Sequence, residues 1–121
     1  MNIKLRGTNI EQEFRDRLSG SRNWLLTTNK GQNVNNVLKQ FCPQMIVAYI
    51  LSSIPEQGED FYKVLINDEI IIDIEVTHDN TATMIKSVSI PQYLKKLSKM
   101  NQIKLAVAID LAKTALGNMG Q

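Results

Sequence analysis

The stretch Phe61–Val76, FYKVLINDEIIIDIEV, constrains the fold of this chain more than any other. β-branched and aromatic residues dominate it, and the polar triplet Asn67-Asp68-Glu69 divides it in two, so it reads as a β-hairpin. Its register follows from side-chain alternation. A two-residue turn at Asn67-Asp68 would pair Lys63 with Ile72 and set that lysine on the face of Ile70, Ile72 and Ile74. A three-residue loop instead pairs Ile66 with Ile70, Val64 with Ile72 and Tyr62 with Ile74, which leaves one face wholly apolar. Lys63 then lies opposite Asp73, a cross-strand pair worth roughly 0.2–1 kcal/mol. Because a slip of one residue would reverse every side chain, the hydrophobic pattern selects the three-residue loop.

The remaining elements are read outward from this hairpin. Thr77–Thr83 is polar loop and Met84–Ile90 a third strand, giving an antiparallel meander over about 61–66, 70–76 and 84–90. At the N-terminus, Thr8 or Asn9 caps a helix with Glu11 in its first turn. Ile10, Phe14 and Leu18 form its apolar stripe, and Ser19-Gly20-Ser21 is expected to stop it, so it covers about 9–19. Residues 22–32 stay open between helix end, short strand and core cover. Asn33 resembles a cap for a second helix with Val34, Val37, Leu38 and Phe41 inward. Pro43 breaks that helix but suits the first position of a new one. The run PQMIVAYILSS is apolar all round, which fits a buried strand or a buried helix. Pro43 and Pro55 bracket about three turns, so helix is preferred and the helical region spans about 33–53.

Pro91 opens a helix over about 91–100, with Leu94, Leu97 and Met100 inward. Asn101-Gln102 bends it or separates it from a last helix over about 102–116, which Gly117 is expected to end. In that last helix Leu105, Ala108, Ile109, Ala112, Ala115 and Leu116 form one stripe, with a weaker one of Ile103, Val107 and Leu111 opposite. The expected class is α+β, with the meander packed against N- and C-terminal helices in one domain, 1–121. That length suffices for a real core.

Charge is distributed unevenly. The net charge is only +2, yet residues 56–79 carry eight carboxylates against Lys63 alone, a net −7, while 1–55 carry +4 and 80–121 carry +5. Such asymmetry speaks to partners and association rates rather than to fold. With 43% apolar and 21% charged residues the composition is globular, not disordered. The N-terminal MNIKLRGTNIEQEF has no apolar signal region, and the longest apolar run, Met45–Leu51, is too short for a bilayer. A cytoplasmic, soluble protein is expected.

The residues that could carry chemistry are few. Cys42, between Phe41 and Pro43, lacks the electropositive, accessible setting of a reactive thiol and reads as a buried structural cysteine. His78, the lone histidine, reads as a solvated loop residue. Asp73 and Glu75, two apart on a strand, share a face and with His78 or Asp79 could hold a divalent metal. Their D-x-E spacing is part of a nuclease arrangement, but Thr77 stands where its lysine belongs, and only Lys63 or Lys86 could substitute. A solvated acidic face is the simpler reading. No glycine-rich phosphate loop and no C-x-x-C occurs. Lys95, Lys96, Lys99 and Lys104 lack interleaved aromatic residues, so they read as a solvated helix face rather than a nucleic-acid site. No catalytic residue, metal or cofactor is assigned.

IPEQGEDFYKVLINDEIIIDIEV followed by SVSIPQYLKKLSKMNQIKLAVAIDLAK, within residues 54–113, resembles the small immunity proteins of bacterial contact-dependent growth-inhibition and related polymorphic-toxin systems. The resemblance implies a small cytoplasmic protein without enzymatic activity. Such a protein binds one cognate toxin, often a nuclease, and masks its active or substrate-binding surface. Contact residues do not transfer by position. The acidic segment supplies the candidates for a basic protein partner: Glu56, Glu59, Asp60, Glu69, Asp73, Glu75 and Asp79. No membrane, nucleic-acid or small-molecule partner is expected. The alternatives are a metal-dependent nuclease or hydrolase using Asp73 and Glu75, or a nucleic-acid-binding regulator.

Overall fold

A computed structural model describes residues 3–79 and 81–119, apart from the side chains of Met84, Ile85 and Met119. The element order is α1 (Asn9–Thr27), α2 (Asn29–Phe41), β1 (Ala48–Glu56), β2 (Glu59–Ile66), β3 (Ile70–Thr77), β4 (Ala82–Ser89), α3 (Ile90–Leu94) and α4 (Lys99–Met119). The fold is α+β, with an antiparallel sheet ordered β1-β2-β3-β4 and helices from both ends of the chain against it. Among the described residues no helix is long and apolar enough to cross a membrane.

The central hairpin has the expected register: Ile66 faces Ile70, Val64 faces Ile72, Tyr62 faces Ile74 and Lys63 faces Asp73. Asn67 opens its loop in the left-handed region, φ 52°, which asparagine tolerates better than most residues.

The sheet has four strands, not three, because residues 43–53 do not form the expected helix. Pro43 ends the helical path, and α2 stops at Phe41. A turn follows, closed by the Met45 N–H donating to the Cys42 carbonyl at 2.9 Å, and the chain then becomes β1. The carboxamide of Asn67 fixes that entry. Its Oδ1 accepts from the N–H groups of Ile46 and Val47 at 2.9 and 3.1 Å, and its Nδ2 donates to Gln44 O at 3.2 Å. Pairing with β2 supplies what an isolated apolar run cannot specify.

Helix α1 runs eight residues past its expected end at 19, to Thr27. Ser21 occupies the position where the Phe14–Leu18 stripe would continue towards Leu25. Its hydroxyl donates to Leu18 O at 2.7 Å and accepts from the Ile50 N–H of β1 at 3.1 Å. Thr28 then ends α1 and begins α2: its own N–H donates to Trp24 O, and its hydroxyl accepts from Gly31 N–H at 2.9 Å. The start of α2 is therefore Asn29 rather than Asn33, and Phe41 is exposed while Val34 and Leu38 are buried.

The C-terminal break falls at Lys95–Ser98 rather than Asn101-Gln102, because Ser98 caps α4 by accepting from the Asn101 N–H at 3.2 Å. Gly117 lies within α4.

Two apolar clusters sit on opposite faces of the sheet. One joins Tyr62, Val64, Ile66, Ile72, Ile74 and Val76 to Leu25, Val34 and Leu38 of α1 and α2. The other joins Tyr49, Leu51, Leu65 and Ile71 to Phe14 and Leu18 of α1 and to Leu105, Val107, Ala108 and Ala112 of α4. Helix α1 thus feeds both. It also shields the outer edge of β1, where Ser21 meets Ile50 N–H and the Lys104 ammonium donates to Leu51 O. Leu51 is the extra residue of a β-bulge between Ile50 and Ser52.

Candidate partner-binding face

The α4 side of the sheet is covered only at one end. Leu65 and Ile71 lie under α4, but further along the strands the same face carries Lys63 and Asp73, then Phe61, Glu75 and Ile54, then Glu59 and Glu56. Ile54 is 55% exposed and Phe61 half-buried. β1 brings Glu56 opposite Glu59, while β3 brings Glu75 opposite Phe61. Three carboxylates thereby surround two apolar side chains.

Like charge shapes this end. A hydrogen bond from protonated Glu59 to the Glu75 carboxylate, then burial, then the Glu75 charge, raise the pKa of Glu59 above its ordinary value. The adjoining β3–β4 turn is tied to the β1–β2 turn by the His78 N–H, which donates to Gly58 O at 3.0 Å. In that turn Asp79 is exposed, hydrogen-bonded to the Thr77 hydroxyl and to the Thr81 N–H. These bonds, the Thr77 hydroxyl foremost, lower its pKa.

Of the seven carboxylates singled out in the sequence, Glu56, Glu59, Glu75 and Asp79 gather at this end. The other three do not join them. Asp60 points to the opposite face, buried, with Lys30 Nζ 2.7 Å from its Oδ2. Glu69 is exposed in the hairpin loop at the far end of the strands. Asp73 lies between two lysines, Lys63 at 3.7 Å and Lys86 at 3.9 Å.

That placement bears on the metal arrangement too. A carboxylate held between two ammonium groups is a poor cation ligand, and among the described residues no group of three or more His, Cys, Asp and Glu side chains could hold a metal ion. Cys42 is buried, and burial raises its thiol pKa. The four lysines of the C-terminal region divide as well. Lys95, Lys96 and Lys99 are exposed. Lys104 is committed to Leu51 O, and burial, then the nearby Arg17, lowers its pKa.

Sequence reasoning missed Ile54 and Phe61 as the apolar centre of this face. Alternation from Lys63 could have placed Phe61; Ile54 required β1. Comparison with protein-family models, curated proteins and solved structures gives no match.

Proposed function

We propose that this chain is a small cytoplasmic binding protein that neutralises a cognate toxin, a nuclease, by masking its active or substrate-binding surface. The resemblance to immunity proteins supplies the partner class. The observation that carries the docking face is the gathering of Glu56, Glu59 and Glu75 around Ile54 and Phe61 on sheet left uncovered by α4. A nuclease presents basic groups where it holds phosphates, and these carboxylates can occupy such a site while Ile54 and Phe61 give up apolar surface to the contact. Like charges held together on a folded surface favour partner binding over isolated stability, as the raised Glu59 pKa illustrates.

The test pairs the chain with a candidate nuclease toxin domain. Reversing Glu56 and Glu75 to lysine should lower the association rate at low salt by about tenfold or more and abolish growth protection, with unchanged circular dichroism. Undiminished protection by the folded double variant would assign docking to another surface.

A further inference from the structure

Beside the acidic end of the sheet, beneath α3 and the start of α4, lies a cleft of about 410 Å³ whose charge has the opposite sign. Lys63, Lys86 and Lys96 line it, against Asp73 as the lining carboxylate. Gln92 and Asn101 add amide groups on the helical side, and Leu51, Val88 and Leu97 give it apolar walls. The volume falls within the range of small-ligand sites, roughly 300–1,000 Å³.

The lysines are held but not consumed. Lys63 Nζ and Lys86 Nζ stand 3.7 and 3.9 Å from the same Asp73 oxygen, beyond the hydrogen-bond range of about 2.7–3.2 Å. Asp73 therefore fixes two ammonium groups electrostatically and leaves their N–H donors available. Lys63 is further held over the Tyr93 ring, 5.5 Å from its centroid. Lys96 makes no ion pair among the described residues. Three cations against one anion leave an excess of two positive charges at the cleft, Lys63 half-buried in it and Lys86 and Lys96 exposed at its rim.

From this geometry we propose that the cleft binds a phosphomonoester. A dianion of that class matches the excess charge, and its three terminal oxygens can each accept from a lysine. The remaining volume takes a small organic body against Val88 and Leu97. The inference is independent of the toxin reading, which uses the carboxylates at the neighbouring end.

Calorimetric titration of the full chain at low ionic strength, with inorganic phosphate and separately with ribose 5-phosphate, tests it. Saturable binding in the micromolar-to-millimolar range is expected for at least one of them. Tighter binding of ribose 5-phosphate supports the phosphomonoester, and equal or tighter binding of inorganic phosphate would overturn it. Lys86→Gln and Lys96→Gln should each weaken binding about tenfold, while Lys95→Gln, outside the cleft, should leave it unchanged. Absence of saturable heat with both compounds would overturn the proposal, as would an equal loss in Lys95→Gln.

Discussion

Truncating the side chain of Asn67 tests how the hairpin loop holds the entry to β1. The carboxamide accepts from two N–H groups and donates to one carbonyl, and the residue sits at φ 52°. Asn67→Ala strands the N–H of Val47, a residue only 2% exposed, at about 1–3 kcal/mol. Ile46 is exposed, so its N–H can turn to water, for a loss of about 0.5–1.5 kcal/mol. Alanine in the left-handed region costs about 1–2 kcal/mol more, which brings the expected loss to roughly 2.5–6.5 kcal/mol. Asn67→Gly removes the same bonds without that backbone penalty and should fall about 1 kcal/mol less. Asn67→Asp keeps both acceptor contacts but turns an oxygen toward Gln44 O in place of the donating Nδ2, in a site only 5% exposed, so it too should destabilise the chain. Urea titrations with a common slope would read the difference between Gly and Ala directly. Recovery of wild-type stability by Asn67→Gly would refute the reasoning, since only the backbone angle would then matter.

Two further outcomes follow from local geometry. A Cβ at Gly31 would stand 1.9 Å from Trp24 O and 2.6 Å from Thr28 Oγ1, so Gly31→Ala should force the α1–α2 junction apart and cost about 1–3 kcal/mol, read as a lowered denaturation midpoint. Two carboxylates should respond to pH with opposite signs. Burial favours the neutral form of Glu11, but bonds from the N–H groups of Arg6 and Gly7 and from the Thr8 hydroxyl outweigh it and lower its pKa below 4.5. Its stabilisation is present above pH 4.5 and is lost as pH falls through the lowered value. The pKa of Glu59 is raised above 4.5, so its repulsion from Glu75 is absent well below that pH and grows as pH rises through the raised value. At pH 7, Glu11→Gln should therefore lower Tm and Glu59→Gln should raise it, both differences shrinking in acid. Equal signs in thermal melts at pH 7 would contradict this assignment.

The hairpin was legible because apolar side chains fill every second position, Tyr62, Val64 and Ile66 against Ile70, Ile72 and Ile74, and only one loop length leaves that face free of charge. The strand β1 was not, since Met45–Leu51 is apolar without a period and suits either buried element. What decides it lies twenty residues away in the Asn67 carboxamide, and further off in Ser21 and Lys104 along its edge. The acidic excess of residues 56–79 was readable as a count, but its division was not. Glu56 joins Glu59 only through the pairing of β1 with β2, and the withdrawal of Asp73 depends on Lys86 arriving from β4. Helix α1 ran past its expected stop because Ser21, polar by type, serves as an internal hydrogen-bonding member of the buried stripe.

The double allegiance of α1 has a mechanical consequence. Phe14 and Leu18 are anchored on one side of the sheet and Leu25 on the other, along a single rod about 28 Å long. Neither cluster can loosen without pulling on the helix that clamps its counterpart, so the two behave as one cooperative unit. The exposed strand ends beyond α4 then belong to a stiff platform. A partner settling there would lose little free energy to ordering it, and more of the contact would be realised as residence time.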